Sequence, residues 1–161
     1  MAQAGNHRSL FFFKRDFVTG LYRKALLHDR ESKMPYIYTR VDELEKATMV
    51  GNHQCVALVR EYAGAPHTLA WRQGEAVLGS SLIRKGTAIA TFVDGRYANR
   101  SYGNHAAIYM GQTPSGILVM DQWAGKRQGV ISSRTLRAKG KHKNGLYIDP
   151  SNNADAFFVI E

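Results

Sequence analysis

The spacing of apolar residues changes along the chain. Between Cys55 and Tyr62, Val56, Val59 and Tyr62 recur at three-residue steps beside Leu58, with Arg60 and Glu61 turned outward, the rhythm of a short amphipathic helix. Gly64 and Pro66 supply stop signals, so the helix is expected to open at Cys55 and end at Gly64. Upstream, Tyr36 to Tyr38 reads as a short extended piece, and Val41 to Ala47 as a helical turn or two with Asp42 near its start. His67 to Val77 reads as a connection with one helical turn around Leu69 to Trp71. Beyond it the pattern becomes that of strands. Thr87 to Val93 alternates and ends in the turn pair Asp94-Gly95. His105 to Met110 and Ile117 to Met120 are uninterrupted apolar runs separated by Gly111 and Pro114-Ser-Gly116, which predicts an antiparallel hairpin buried in a sheet. Val130-Ile131, Leu146 to Ile148 and Phe157 to Ile160 are further short strands. A helix packed on several antiparallel strands is an α+β arrangement.

A chain of 161 residues is long enough to bury its own core as one domain. Residues 1–35 read as a basic extension, and residues 36–161 as the domain. Phe17, Leu21, Tyr22, Ala25 and Leu26 would share one face of a short helix in that extension. Leu10 to Phe13 is cut off by Lys14, Arg15 and Asp16, too short to cross a bilayer or to act as a secretory apolar segment. No membrane insertion is therefore expected, and export would need a route other than a signal peptide. Lys and Arg number 22 against 13 acidic residues, a net charge of +9, which points to an anionic partner such as nucleic acid, an anionic membrane or the bacterial envelope. The positive charge is scattered apart from Lys126-Arg127 and the stretch Arg134 to Lys143, the contact strip that a nucleic-acid-binding module would use.

The single cysteine excludes an internal disulfide framework and the usual multi-cysteine zinc sites. Cys55 sits where the unpaired N–H groups and positive dipole end of the helix favour a thiolate. Of six histidines, only His105 stands at the lip of a strong strand. In the predicted hairpin, the end of one strand lies beside the start of the other, which brings Asp121 toward His105. Nucleophile, base and orienter would then be Cys55, His105 and Asp121, the constellation of cysteine hydrolases, which calls for no cofactor. The backbone N–H of Cys55 and the side chain of Gln54 are candidate oxyanion donors. His53 is expected at the cleft wall. Asn104 and Gln122 are alternatives to Asp121 in the third position, and with His53 and Trp123 they are candidate substrate contacts. Trp71, Tyr102 and Tyr109 are aromatic candidates for the same groove. A zinc site built from His53, His105 and Asp121 lacks the paired-histidine spacing of helical zinc motifs, so no metal is expected. The competing functional class is a basic nucleic-acid-binding or non-catalytic wall-binding domain.

Four blocks carry a resemblance: Gly51-Asn-His-Gln-Cys-Val-Ala-Leu-Val59, Gly86-Thr-Ala-Ile-Ala-Thr-Phe92, Gly103-Asn-His-Ala-Ala-Ile-Tyr109 and Asp121-Gln-Trp123. They resemble the second family of type VI secretion amidase effectors, which is similar to the wider NlpC and CHAP groups of papain-like peptidoglycan amidases. The likeness covers roughly residues 36–161. It implies a papain-like fold with the cysteine helix packed on an antiparallel sheet bearing the histidine. It also implies cleavage of amide bonds in peptidoglycan stem peptides, at the cross-link between meso-diaminopimelate and D-alanine. Further implications are synthesis without a signal peptide, delivery by the type VI secretion apparatus into a rival bacterium's periplasm, and a cognate immunity protein that blocks the cleft.

Overall fold

The amphipathic stretch folds as α1 (Cys55–Ala63), which Gly64 closes in the left-handed region at φ 71°, its N–H returning to the carbonyl of Val59. A computed structural model describes Met1 and residues 34–161, and Met34–Glu161 form one compact unit. Residues 2–33 of the basic extension, with the Leu10 to Phe13 cluster and the helical face expected from Phe17 to Leu26, lie outside the described residues. Among these, α1 packs on a six-stranded antiparallel sheet. The strands are β1 (Gln73–Ala76), β2 (Ala88–Thr91), β3 (Ala106–Thr113), β4 (Gly116–Asp121), β5 (Ser132–Arg137) and β6 (Phe157–Ile160), in the spatial order β1-β6-β2-β3-β4-β5.

The uninterrupted apolar runs are explained by burial on both faces. Ala88, Ala90, Ala106, Ile108 and Met120 face one side with Leu58, Val59 and Ala63 of α1, together with Trp71 and Ile131. The alternate residues Ile89, Ala107, Tyr109, Ile117 and Val119 pack with Val77, Leu136, Ala154 and Phe157 in a second cluster. Strand residues alternate between faces, so a strand covered on both sides needs apolar residues throughout. Alanines at positions 88, 90 and 106 keep the first face shallow, which lets the helix backbone approach the sheet.

The predicted hairpin is present, with Ile108 opposite Met120 and Tyr109 opposite Val119. Val41–Leu44 and Thr68–Ala70 are single 3-10 turns, and Ile37 bridges to Thr87. Three expectations differ from the structure. Gln73–Ala76, read as a connection, is the edge strand β1 beside β6. The strand expected at Val130-Ile131 begins instead at Ser132, and Val130 makes only an isolated bridge to Thr48. Leu146 to Ile148 forms no strand; Tyr147 bridges Lys141 within a surface turn, and Leu146 is exposed. β1 and β5 are edges, so their pairing comes from a neighbouring strand rather than from an apolar pattern of their own.

One side chain fixes the loop that leads into the helix. Gln122, immediately after β4 and fully buried, accepts a hydrogen bond from the N–H of Val50 at 3.0 Å. Its amide nitrogen donates to the carbonyls of Val50 at 2.9 Å and Gln54 at 3.0 Å. This is a correction to the expectation that Gln122 contacts substrate: its amide is spent on the backbone of residues 50–54. Gln122→Leu is expected to leave those groups unpaired and to cost about 1–3 kcal/mol for a buried donor or acceptor. Urea unfolding checks this: the midpoint should fall with the slope unchanged, and an unaltered midpoint would contradict the clamp.

Candidate active site

Cys55 is the first residue of α1 and is 8% exposed, so its sulfur sits at the helix start but is largely shielded from water. His105 directly precedes β3 and is anchored by its N–H, which donates to the hydroxyl of Thr91 at 3.0 Å. Its ring Nε2 lies 2.8 Å from Oδ2 of Asp121, the last residue of β4, whose carboxylate is fully buried. Extending the Ile108–Met120 register by one residue puts Asp121 opposite Ala107, hence on the same face of the ladder as His105. With Nε2 taken by Asp121, Nδ1 is the ring nitrogen free to serve the neighbouring thiol.

The electrostatics follow from this placement. Burial by itself pushes the Cys55 thiol up. The bonding and charge of the His105 imidazole, then the Tyr97 hydroxyl and the Ala106 amide, outweigh burial and hold the thiol below its ordinary value. Burial disfavours the imidazolium of His105, but Asp121 and Cys55 outweigh it and raise its pKa to about 9. Burial would also raise Asp121, yet His105 and Arg134 bring it down to about 2. All three shifts favour the same charge state: thiolate, imidazolium, carboxylate.

Tyr97 is a member of the site that the sequence pattern did not disclose. The Asp94-Gly95 turn, both residues at positive φ, folds the chain back so that Val93 pairs with Arg96, and Tyr97 follows, buried. Its hydroxyl lies 3.7 Å from Sγ of Cys55. The N–H of Arg100 can only donate, and it bonds Oδ1 of Asn104 at 2.6 Å, so the amide nitrogen of Asn104 faces Tyr97 at 3.1 Å. The Tyr97 oxygen therefore accepts from Asn104, and its own proton is left for the sulfur. Burial, then the adjacent Cys55, push the phenol well above its usual pKa, so it remains a donor. No apolar periodicity marks the stretch Arg96 to Arg100; its signal is only an aromatic residue two positions after a tight turn.

The sulfur opens onto a cleft of about 440 Å³ whose lining includes Gln54, Arg60, Tyr97, Arg100 and Asn104. Of the expected contacts, Asn104 and Gln54 are therefore at the cleft, while His53, Gln122 and Trp123 are not in its lining. His53 is exposed, at φ 62° in the loop before the helix. Trp123 lies beside His105, ring centroids 6.2 Å apart. Trp71 and Tyr109 are core residues, the indole N–H of Trp71 donating to the carbonyl of Pro66, and Tyr102 is exposed. Within the basic stretch Arg134 to Lys143, Arg137, Lys141 and Lys143 are exposed, while two cations are engaged. Arg134 binds Asp121 and Asn152, and Lys139 pairs with Asp149.

A thiol whose ionisation a neighbouring imidazole favours, beside a cleft and at a helix start, is equipped for nucleophilic attack on a carbonyl followed by protonation of the leaving group. The known proteins that this chain is similar to are amidase effectors. The family model described as domesticated amidase effector 2 matches residues 32–160. The chain is 45% identical over 133 residues to a type VI secretion amidase effector 2 protein of Salmonella typhi, covering 80% of this chain and 100% of that protein. It is 35% identical over 116 residues to domesticated amidase effector 2 of Ixodes scapularis, covering 70% of this chain and 73% of that protein. Among solved structures it is similar to type 6 secretion amidase effector 2, with a TM-score of 0.74 and 44% identity over 80% of this chain and 95% of that one. Helix, sheet and sequence together establish that this chain, papain-like in fold, belongs to the family of type VI secretion amidase effector 2 and domesticated amidase effector 2.

Proposed function

We propose that the chain is an antibacterial amidase that hydrolyses amide bonds in peptidoglycan stem peptides with Cys55 as nucleophile. The observation that carries this reading is the cysteine at the start of α1 beside an imidazole held 2.8 Å from a buried carboxylate. Cys55 attacks the scissile carbonyl carbon and its proton resides on His105. The imidazolium then protonates the departing amine, leaving a thioester that water, activated by His105, hydrolyses back to thiol and acid. Asp121 keeps Nδ1 directed at the sulfur and at the leaving nitrogen. The backbone N–H of Cys55, with Tyr97 or Gln54 beside it, supplies donors for the oxyanion.

The cleft lining contains Arg60 and Arg100 and no carboxylate. Neither guanidinium makes an ion pair among the described residues. Such a cleft suits a peptide that carries free carboxylates near the bond being cut, as the meso-diaminopimelate–D-alanine cross-link does. Kinship with type VI effectors supports delivery by that secretion machinery into the periplasm of a target bacterium, and a producer that protects itself with an immunity protein. Cys55 and Tyr97 at the cleft floor would be the surface such an inhibitor covers.

Cys55→Ala is expected to fold normally and to lose roughly 10⁴-fold or more in the release of cross-link fragments from purified sacculi. Retained release would contradict a thiol nucleophile. The activity of the native protein should be bell-shaped in pH. The acid limb, where the thiolate gains a proton, lies below the ordinary cysteine range; the alkaline limb, where His105 loses its proton, lies at about 9. Replacing Arg60 or Arg100 with Gln should raise KM about tenfold with kcat retained, the loss expected for one charged hydrogen bond. Equal KM for all three proteins would remove the carboxylate-binding role.

A further inference from the structure

Asp121 does more than accept a bond from His105. Its Oδ2 receives both Nε2 of His105 at 2.8 Å and Nε of Arg134 at 2.7 Å, and its Oδ1 receives Nζ of Lys126 at 2.9 Å. The ammonium of Lys126 also donates to the carbonyls of Asp121 at 2.8 Å and Ser132 at 3.1 Å, so its three protons are all placed. Its side chain is 7% exposed, against 27% for Arg134. A turn in which the N–H of Lys126 bonds the carbonyl of Trp123 folds the chain back toward Asp121. The indole of Trp123 then packs against both cations, 4.8 Å from Nζ of Lys126 and 5.0 Å from Cζ of Arg134.

We propose that Lys126 and Arg134 are positioning residues of this site: they offset the charge of Asp121, so that the carboxylate orients His105 without retaining its proton. The inference rests on the Cys55–His105 reading above. Thiolate, imidazolium and carboxylate together carry a net charge of −1, which one cation would balance. Lys126 and Arg134 supply two and turn it to a net +1, a surplus positive charge that is costly away from water and unnecessary for packing alone. The surplus has a chemical use. An imidazolium facing a lone buried carboxylate would hold its proton too firmly to pass it to the leaving amine, whereas one sharing that carboxylate with Lys126 and Arg134 releases it more readily. The same surplus favours the thiolate of Cys55.

The other charged groups do not cancel this effect. The carboxylates whose fields reach the two cations are Glu45, toward Lys126, and Asp149, toward Arg134. Both are exposed; Glu45 is bonded to the N–H of Ser133, and Asp149 is paired with Lys139. On its remaining sides His105 meets Cys55, with Tyr97 beyond it, and the edges of Trp123 and Phe157.

The test uses the full chain with Lys126→Met, Arg134→Gln and Arg134→Lys. For each, kcat/KM on sacculi and the rate of Cys55 alkylation by iodoacetamide are followed against pH, with circular dichroism reporting the folded fraction. Lys126→Met should lower kcat and move both limbs of the activity profile, and the acid inflection of alkylation, upward by about one pH unit. Arg134→Gln should shift them in the same direction, and Arg134→Lys should restore the native profile. Should Lys126→Met fail to fold, the more exposed Arg134 pair decides the matter. Limbs that stay in place while activity merely tracks the folded fraction would overturn the proposal and leave the thiol–imidazole reading intact. A native Cys55 that alkylates like an ordinary free thiol would instead remove that underlying reading.

Discussion

A carboxylate taken out of water must be surrounded by donors, and the interior around Asp121 is arranged to satisfy that requirement. Antiparallel pairing of β3 with β4 sets His105 on the same face as Asp121, and pairing of β4 with β5 brings Arg134 alongside. The turn after Trp123 returns Lys126 to the same place. A fully buried acid is thus met by three donors drawn from three parts of the chain. The register of the sheet and the geometry of the site are one constraint. A slip by one residue would carry Asp121 to the other face and strip His105 of its partner.

The cysteine half is held with equal economy. α1 lies on a shallow floor of alanines, and the loop before it is tied by Gln122 to the end of the strand that carries Asp121. Neighbouring residues of one segment therefore serve both halves of the site: Asp121 fixes the imidazole, and Gln122 fixes the approach to the sulfur. Tyr97 and Asn104 close the cleft side with an oriented chain of hydrogen bonds that ends on the thiol. The arrangement explains how a 9-residue helix can present a reactive group with little freedom to move.

Much of this was legible in the sequence, for a physical reason. Helix periodicity, a glycine stop and uninterrupted apolar runs are local signals, and they located α1, the β3–β4 hairpin and with them Cys55, His105 and Asp121. The family resemblance carried by the four blocks agrees with the similarity to type VI amidase effectors. What stayed hidden was decided by distant contacts. The polar strands β1 and β5 exist because β6 and β4 offer them edges. Gln122 reads as a substrate contact until its three backbone partners, far away in sequence, are seen. Lys126 and Arg134 look like surface charge, since nothing in their neighbours predicts a buried acid beneath them. Tyr97 follows an ordinary turn and announces nothing.

The central claim is that the imidazole of His105 favours the thiolate of Cys55. Because Cys55 is the only cysteine in the chain, thiolate ultraviolet absorbance reports on it alone. A pH titration of that absorbance, taken as the difference from Cys55→Ala, measures the pair directly. The account predicts a thiolate signal that appears below the usual cysteine range. A signal that first appears where an unperturbed thiol ionises would contradict it.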